Sequence, residues 1–372
     1  MSADLPDDRE STPILLQRIS RVSVEPPSSN RRMSAANAPA AAPPLAGVHW
    51  ANPGRATQWL GRAGLLVSML LLFVAVFADL FASNLPIACK VHGSLYLFPN
   101  VTHPAELDAM GPSGLERSAD WMIRPLVFHG PTLSPGEEST APLRGPLALP
   151  GHPLGTDRVG NDIFARAVHG TRSYLVFALL AVAASLVLGV FLGAASGLFG
   201  GPVDAVVSRI VESVSAFPPL VLVLGIQAAV PHANIFTLFL AIALTRWPEI
   251  ARLVRGEVMQ ATTRDYVMAA RALGASPFRV LRRHIMPNVR AALVVVGAAG
   301  VSAVVLTEAS LDFLRVGTPP GAASWGETMS QFRDAPASWW LLAAPGALLV
   351  LTIVSFNVMG EALRSALDPR SR

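Results

Sequence analysis

The segment RDYVMAARALGASPFRVLRRHIMPN, residues 264–288, turns a corner by its own chemistry. From Asp265 to Leu273 apolar and polar residues alternate at helical spacing, with Tyr266, Ala269, Ala270 and Leu273 on one stripe. Gly274 follows where a helix commonly ends in a left-handed residue, a conformation glycine adopts without steric cost. Ser276 then stands as a helix N-cap, and Pro277 occupies the first helical position, where its missing N–H costs nothing. A second helical piece, 278–285, ends at Pro287. The order is stop, cap, restart. Small Ala269 and Ala270 let another surface approach, while Arg271, Arg279, Arg282 and Arg283 suit a headgroup boundary. A basic loop with incidental helicity is the plainer alternative; the ordered corner favours a docking element.

What the corner is for depends on its surroundings. The chain has 372 residues, 52% hydrophobic and 15% charged, against about 25% charged in an ordinary globular domain. The deficit is concentrated, since no charged residue occurs within 173–203, 213–245 or 335–360. A bilayer core takes roughly 20 apolar residues per helical crossing. Those runs are long enough, and the middle one, interrupted at Pro231-His-Ala-Asn234, supplies the buried parts of two crossings. The sequence describes an integral membrane protein.

Charge is equally local. Residues 246–290 hold nine arginines and three acids, a net +6, so the rest of the chain sums to −2 of the total +4. Among 29 basic residues only Lys90 is lysine, a bias that fits a GC-rich bacterial source. Cys89 is alone, so an intramolecular disulfide or a cysteine metal cluster is excluded, and no metal site is expected.

Residues 1–62, rich in Pro, Ser and Ala, read as a disordered cytoplasmic tail. A cleavable signal peptide is not expected, because the first apolar run starts only at Ala63. Span 1 covers 64–82, behind Arg55 and Arg62, which the positive-inside tendency puts in the cytoplasm. Residues 83–169 are polar and punctuated by Pro and Gly. They are expected to form an extracytoplasmic insert with short strands at 95–98 and 123–128 and a short closing helix at 161–169. Five further spans are expected at 174–199, 207–230, 235–254, 289–311 and 338–360, within a domain of 170–361, before a tail at 362–372. The expectation is thus an all-α protein with six transmembrane helices. Six crossings put both termini on one face, together with the arginine-rich loop at 255–288 and Arg364, Arg370 and Arg372.

Span 2 places Gly189, Gly193 and Gly197 in register, a pattern that lets two helix backbones approach closely in lipid. Phe217-Pro218-Pro219 and Trp247-Pro248 predict kinks. Kinked helices occur around a pathway and also without one.

Here a resemblance enters. RGEVMQATTRDYVMAARALGASPFRVLRRHIMPN resembles the cytoplasmic coupling loop of type I ABC-importer permeases, whose pattern is E-A-A, then Gly, then Ile-x-Pro. HPLGTDRVGNDIFARAVHGTRSY, GGPVDAVVSRIVESVSAFP, WPEIARLVRGEV, LTEASLDFLRVGTPPGAASWGE and FNVMGEALRSALDPR are similar, in order, to the C-type subunit of the oligopeptide/dipeptide branch. ASNLPIACKVHGSLYLFPN is more weakly similar to permeases with an enlarged periplasmic insert, including importers of microcin-type peptides.

The resemblance implies the MetI-like fold of a bacterial inner-membrane permease with both termini cytoplasmic. It implies a second permease subunit, two cytoplasmic ABC ATPases that use ATP and Mg, and an extracytoplasmic solute-binding protein. The chain itself would bind no cofactor and no nucleic acid. Coupling to the ATPases would fall to Asp265, Tyr266, Ala269, Ala270, Gly274, Ser276 and Pro277, with Ile285 and Pro287 fixing the exit into span 5.

Some positions depart from the family pattern. Met268 stands for the usual acid before Ala-Ala, Asp312-Phe-Leu-Arg-Val-Gly317 for Ser-Phe-Leu-Gly-Leu-Gly, and Gly160-Asn-Asp162 for Gly-Arg-Asp. Asp312 and Arg315, at the outer end of span 5, are candidates for the translocation pathway or its gate, or, being three apart, simply to pair on a helix. Glu308, one turn deeper, is an ionisable group within a span, which faces a pathway or a structural partner. Gln227, Ser302 and Asn357 are uncharged candidates to line a passage.

Other classes fare worse. The only lysine lacks a G-x-x-x-x-G-K-[S/T] context, so the chain is not the motor and not an enzyme. No H-E-x-x-H or carboxylate cluster supports a hydrolase. Ion-coupled carriers usually display more ionisable groups near mid-membrane, and a scaffold gives no reason for the corner. The reading is a permease subunit of an ATP-driven importer for peptides or related solutes. The alternatives kept open are an ion-coupled carrier and an importer of nickel, a glycoside or a peptide antibiotic.

Overall fold

A computed structural model of the chain describes residues 55–133, 141–231, 234–318 and 321–367. The expectations for 1–54, 134–140 and 368–372 fall outside the described residues.

The elements run α1 (Arg55–Val76), α2 (Ala78–Phe81), β1 (Ala88–Val91), β2 (Ser94–Leu97), α3 (Pro99–Thr102), α4 (Ala105–Ser118), β3 (Ala119–Ile123), α5 (Ile163–Phe199), α6 (Gly201–Ser215) and α7 (Pro219–Ala229). They continue with α8 (Ile235–Thr262), α9 (Asp265–Ala272), α10 (Pro277–Val280), α11 (Met286–Phe313), α12 (Trp325–Ser330) and α13 (Trp340–Leu367). Among the described residues four helical stretches are long and apolar enough to cross a bilayer: Trp59–Val76, Ile163–Phe199, Pro277–Phe313 and Trp340–Ala366. The pair α6 and α7 makes a fifth only if counted as one span, and it is bent by 88°.

Two of the six expected spans therefore change. The segment 207–230 is no single rod. Pro218 and Pro219 remove two backbone donors, and the chain restarts as α7 at a sharp angle. α8 does occupy 235–254, but it runs on to Thr262 and carries Arg246, Glu249 and Arg252 inside the expected span. It is less apolar than a free-standing crossing requires.

Other boundaries shift as well. α1 starts at Arg55, within the stretch read as tail, and α13 reaches Leu367. The short helix expected at 161–169 is the first part of α5. Asp162 caps it by accepting from the Ala165 amide at 2.7 Å, and the helix then runs unbroken for 37 residues. That is about 55 Å of helix, so one end projects beyond a 30 Å hydrocarbon core.

The bundle is held along two seams. α5 and α8 run parallel, with Gly189 against Ile250, Gly193 against Ala251 and Gly197 against Val258. A methyl group at Gly189 would lie 2.6 Å from the Ile250 Cβ, and one at Gly193 would strike the Ala251 carbonyl. The glycine register is therefore a packing device. The second seam is antiparallel: Gly360 of α13 meets Ala298 of α11, and Ser302 donates to the Ile353 carbonyl at 3.1 Å. Gly61 and Gly64 of α1 close on Ala362 and Val358 of α13. These contacts gather the start of α1, the end of α13 and the corner helix α9 at one end of the bundle, with the insert at the other.

The insert is not helical throughout. It holds an antiparallel sheet in the order β2-β1-β3. The strand expected at 95–98 appears as β2, the one at 123–128 falls earlier as β3, and β1 was not anticipated. Leu85, Cys89, Val91, Leu107 and Leu115 form its core.

Candidate functional site

The corner forms as its residues dictate. α9 ends with the Ala275 amide donating to the Ala270 carbonyl at 3.0 Å and the Gly274 amide to the Arg271 carbonyl at 2.9 Å. This is the paired closure in which the residue after the cap turns left-handed; Gly274 has φ +83°. The Ser276 side chain accepts from the Arg279 amide at 3.4 Å, and Pro277 opens α10.

The restart does not end at Pro287, as the sequence reading held. The helix continues from Pro277 to Phe313 through one π turn at Leu281–Ile285. A proline in mid-helix lacks a donor and clashes with the carbonyl four residues back. The widened turn falls just before Pro287.

The corner is rigidly seated. Val267, Val280, Ile285 and Val289 are buried in a cluster with Ile250, Val254, Val258 and Ala261 of α8. The Asn288 amide donates to the Tyr266 hydroxyl at 3.3 Å, tying α9 to α11. What faces outward is apolar: Tyr266, Met268, Leu273 and Phe278 are 40%, 51%, 89% and 69% exposed. Asp265 and Ala269 are exposed too, Ala270 is half-buried, and the arginines at 271, 279, 282 and 283 are exposed. A side chain at Gly274 would meet nothing within 4 Å in this chain.

At the insert end the buried polar groups converge on Asp312. Its carboxylate accepts from the Tyr174 hydroxyl at 2.7 Å, from the Thr318 amide at 2.7 Å and from Ser324. Tyr174 stacks on Trp325 with ring centroids 4.7 Å apart, and Trp325 donates to the Ala167 carbonyl at 2.8 Å. Nearby, buried Arg166 holds Thr328, the Ala322 carbonyl, Glu327 and Asp157. The Gly160-Asn-Asp162 turn wraps Asp157, which accepts from the Gly160 and Asn161 amides at 2.9 Å.

The Asp312–Arg315 pair considered from the sequence does not form. Arg315 lies past the end of α11 at φ +61°, so its side chain leaves the helix surface and reaches Asp334 at 3.0 Å. The remaining candidates scatter. Gln227 accepts from Thr237 at 3.0 Å, Ser302 ties α11 to α13, and Asn357 is exposed. Glu308 stays buried one turn below Asp312, with neither carboxyl oxygen hydrogen-bonded among the described residues. Tyr174, Ser324, Trp325 and Arg166 were missed by the sequence reading. The block HGTRSY contains Tyr174, but nothing local marks it as a partner of Asp312.

The bundle therefore carries a well-packed corner at one end and a buried polar cluster around Asp312 at the other. Residues 185–372 match the family described as binding-protein-dependent transport system inner membrane component. The oligopeptide transport system permease protein OppC of Bacillus subtilis (strain 168) is 37% identical over 59% of this chain and 72% of its own. The probable D,D-dipeptide transport system permease protein DdpC of Escherichia coli (strain K12) is 35% identical over 66% and 81%. Among solved structures, an inward-facing form of the MetNI methionine ABC transporter aligns with 55% of this chain and 98% of its own at 20% identity, TM-score 0.47. The chain belongs to the binding-protein-dependent inner-membrane component family: it is a multi-pass permease subunit of an ABC importer, and hydrolysis of ATP is the work of separate subunits.

Proposed function

We propose that this permease imports peptides or closely related solutes, driven by cytoplasmic ATPases that seat the corner at 264–288. The observation that carries the reading is the corner itself. It is stiff, capped at both turns, and packed on one side against α8. On its other side Met268, Leu273 and Phe278 stand exposed, with Tyr266 partly so. Transmitted work needs such an element, because a flexible loop would absorb the motion. Leucine is costly to leave in water, about 25 cal/mol per Å² of apolar surface, so an 89%-exposed Leu273 suits a protein groove.

The peptide class is favoured by the names of OppC and DdpC. Both termini and the corner lie in the cytoplasm in this reading, where the arginine excess belongs. A second permease subunit completes the pathway, two ATPases use ATP and Mg, and an external binding protein delivers the solute. The latch around Asp312, with Glu308 beneath it, would gate the delivery side.

Gly274→Leu tests the coupling. Membrane insertion and ATP hydrolysis should persist while uptake stops; wild-type uptake overturns the assignment. A maleimide that cannot cross membranes should fail to label Ala275→Cys in intact cells, and labelling from outside overturns the orientation.

A further inference from the structure

We infer that the exposed face of the insert's three-stranded sheet rests on the phospholipid headgroup layer, so that the insert is a membrane-surface lobe. The strand alternation defines the face. Cys89, Val91, Tyr96 and Met122 point into the insert's own core. The opposite side is then built from two cross-strand rows, Leu95–Lys90–Trp121 and Leu97–Ala88–Ile123. A half-solvated antiparallel sheet ordinarily carries polar residues there. Here Leu95, Leu97, Trp121 and Ile123 stand 59%, 63%, 44% and 54% exposed.

The occupant is indicated by continuity and by chemistry. Beyond the Leu97 row lie Phe98 and Val101, also exposed, on and beside α3. α3 is tied to the segment that follows α1: Asn100 donates to the Asp79 carbonyl of the short helix α2 at 2.8 Å, and within the insert the Phe98 amide donates to the Ile87 carbonyl at 2.8 Å. α2 in turn follows the end of α1, where Phe73, Val76 and Phe77 are exposed. Exposed apolar side chains thus recur along the chain from the end of a helix apolar enough to cross a bilayer, through α3, to the sheet.

Its composition suits that depth. Tryptophan sits at headgroup level with its ring half-immersed, and a lysine stem lies along apolar surface while its ammonium reaches phosphate. Lys90, the chain's sole lysine, occupies the middle of the Leu95–Trp121 row.

The test uses the full-length chain in nanodiscs of phosphatidylethanolamine and phosphatidylglycerol. Leu97→Cys and, as control on the insert's helix, Glu116→Cys each carry a nitroxide. One label per chain certifies a folded insert, since buried Cys89 stays unreacted. The proposal expects Leu97→Cys to collide several-fold less with a water-soluble nickel reagent, and more with oxygen, than the control. Equal nickel collision at the two sites overturns it. So does shielding that appears only when the second permease or the binding protein is added, which assigns the face to a protein. Should Leu97→Cys unfold the insert, Ile123→Cys on β3 reads the same face.

Discussion

Tyr174 and Asp312 lie 138 positions apart, yet the phenolic hydroxyl donates to the carboxylate at 2.7 Å and locks α5 to α11. Both residues are buried, and the Gly326 amide uses the same hydroxyl as its acceptor at 3.0 Å. Tyr174→Phe keeps the stack on Trp325 but removes these bonds. It should destabilise the purified permease by about 1–2 kcal/mol, read as a lower denaturation midpoint in detergent. An unchanged midpoint would mean that the latch is not structural.

Gly193 and Gly225 offer a matched pair. An added methyl at Gly193 meets the Ala251 backbone, whereas one at Gly225 meets nothing within 4 Å. Gly193→Ala should cost about 1–3 kcal/mol by overpacking. Gly225→Ala should be neutral or gain up to about 1 kcal/mol from helix propensity. Thermal unfolding of the two variants side by side decides the point.

Arg315 occupies a left-handed position that closes α11, with the Val316 amide on the Leu311 carbonyl at 3.0 Å. A side chain there is strained by about 1–2 kcal/mol. Arg315→Gly and Arg315→Ala both lose the Asp334 ion pair, but only glycine sheds the strain. Gly should therefore be the more stable of the two by about 1 kcal/mol. The pair also sets a pH dependence. Arg315, and after it Arg158, hold the Asp334 carboxyl below its usual range. Stabilisation from a depressed carboxylate is present above its unfolded pKa and lost as pH falls through the folded one. The stability gap between wild type and Arg315→Ala should therefore narrow as the buffer is taken below about pH 4.

Glu308 is buried without a hydrogen bond to either oxygen among the described residues. An unpaired buried polar group costs about 1–3 kcal/mol. Glu308→Met, of similar length, should raise the unfolding midpoint while lowering uptake if the acid is kept for gating. A stabilised variant with full uptake would remove Glu308 from the transport mechanism.

Legibility in the sequence followed range. The corner at Leu273-Gly-Ala-Ser-Pro277 was readable because every bond that makes it lies within five residues. The 88° break after α6 was readable only as a kink. Pro218 and Pro219 say where the chain turns, but the docking of Val207 and Val211 on Trp247 and Ala251 helps set how far. The Asp312 latch was invisible because its partners come from α5 and from the loop between α11 and α12. The Arg315 error arose from applying helix spacing two residues past the helix end. β1, Ala-Cys-Lys-Val, was missed because its order depends on two neighbouring strands rather than on its own preferences.

The uninterrupted helix from Pro277 to Phe313 makes the knuckle and the latch opposite tips of a single lever. An antibody fragment or crosslink that immobilises Asp312's neighbourhood should therefore freeze the arginine-rich tip as well. Inhibitors of such a machine need not compete for its fuel or its cargo; clamping either tip would do.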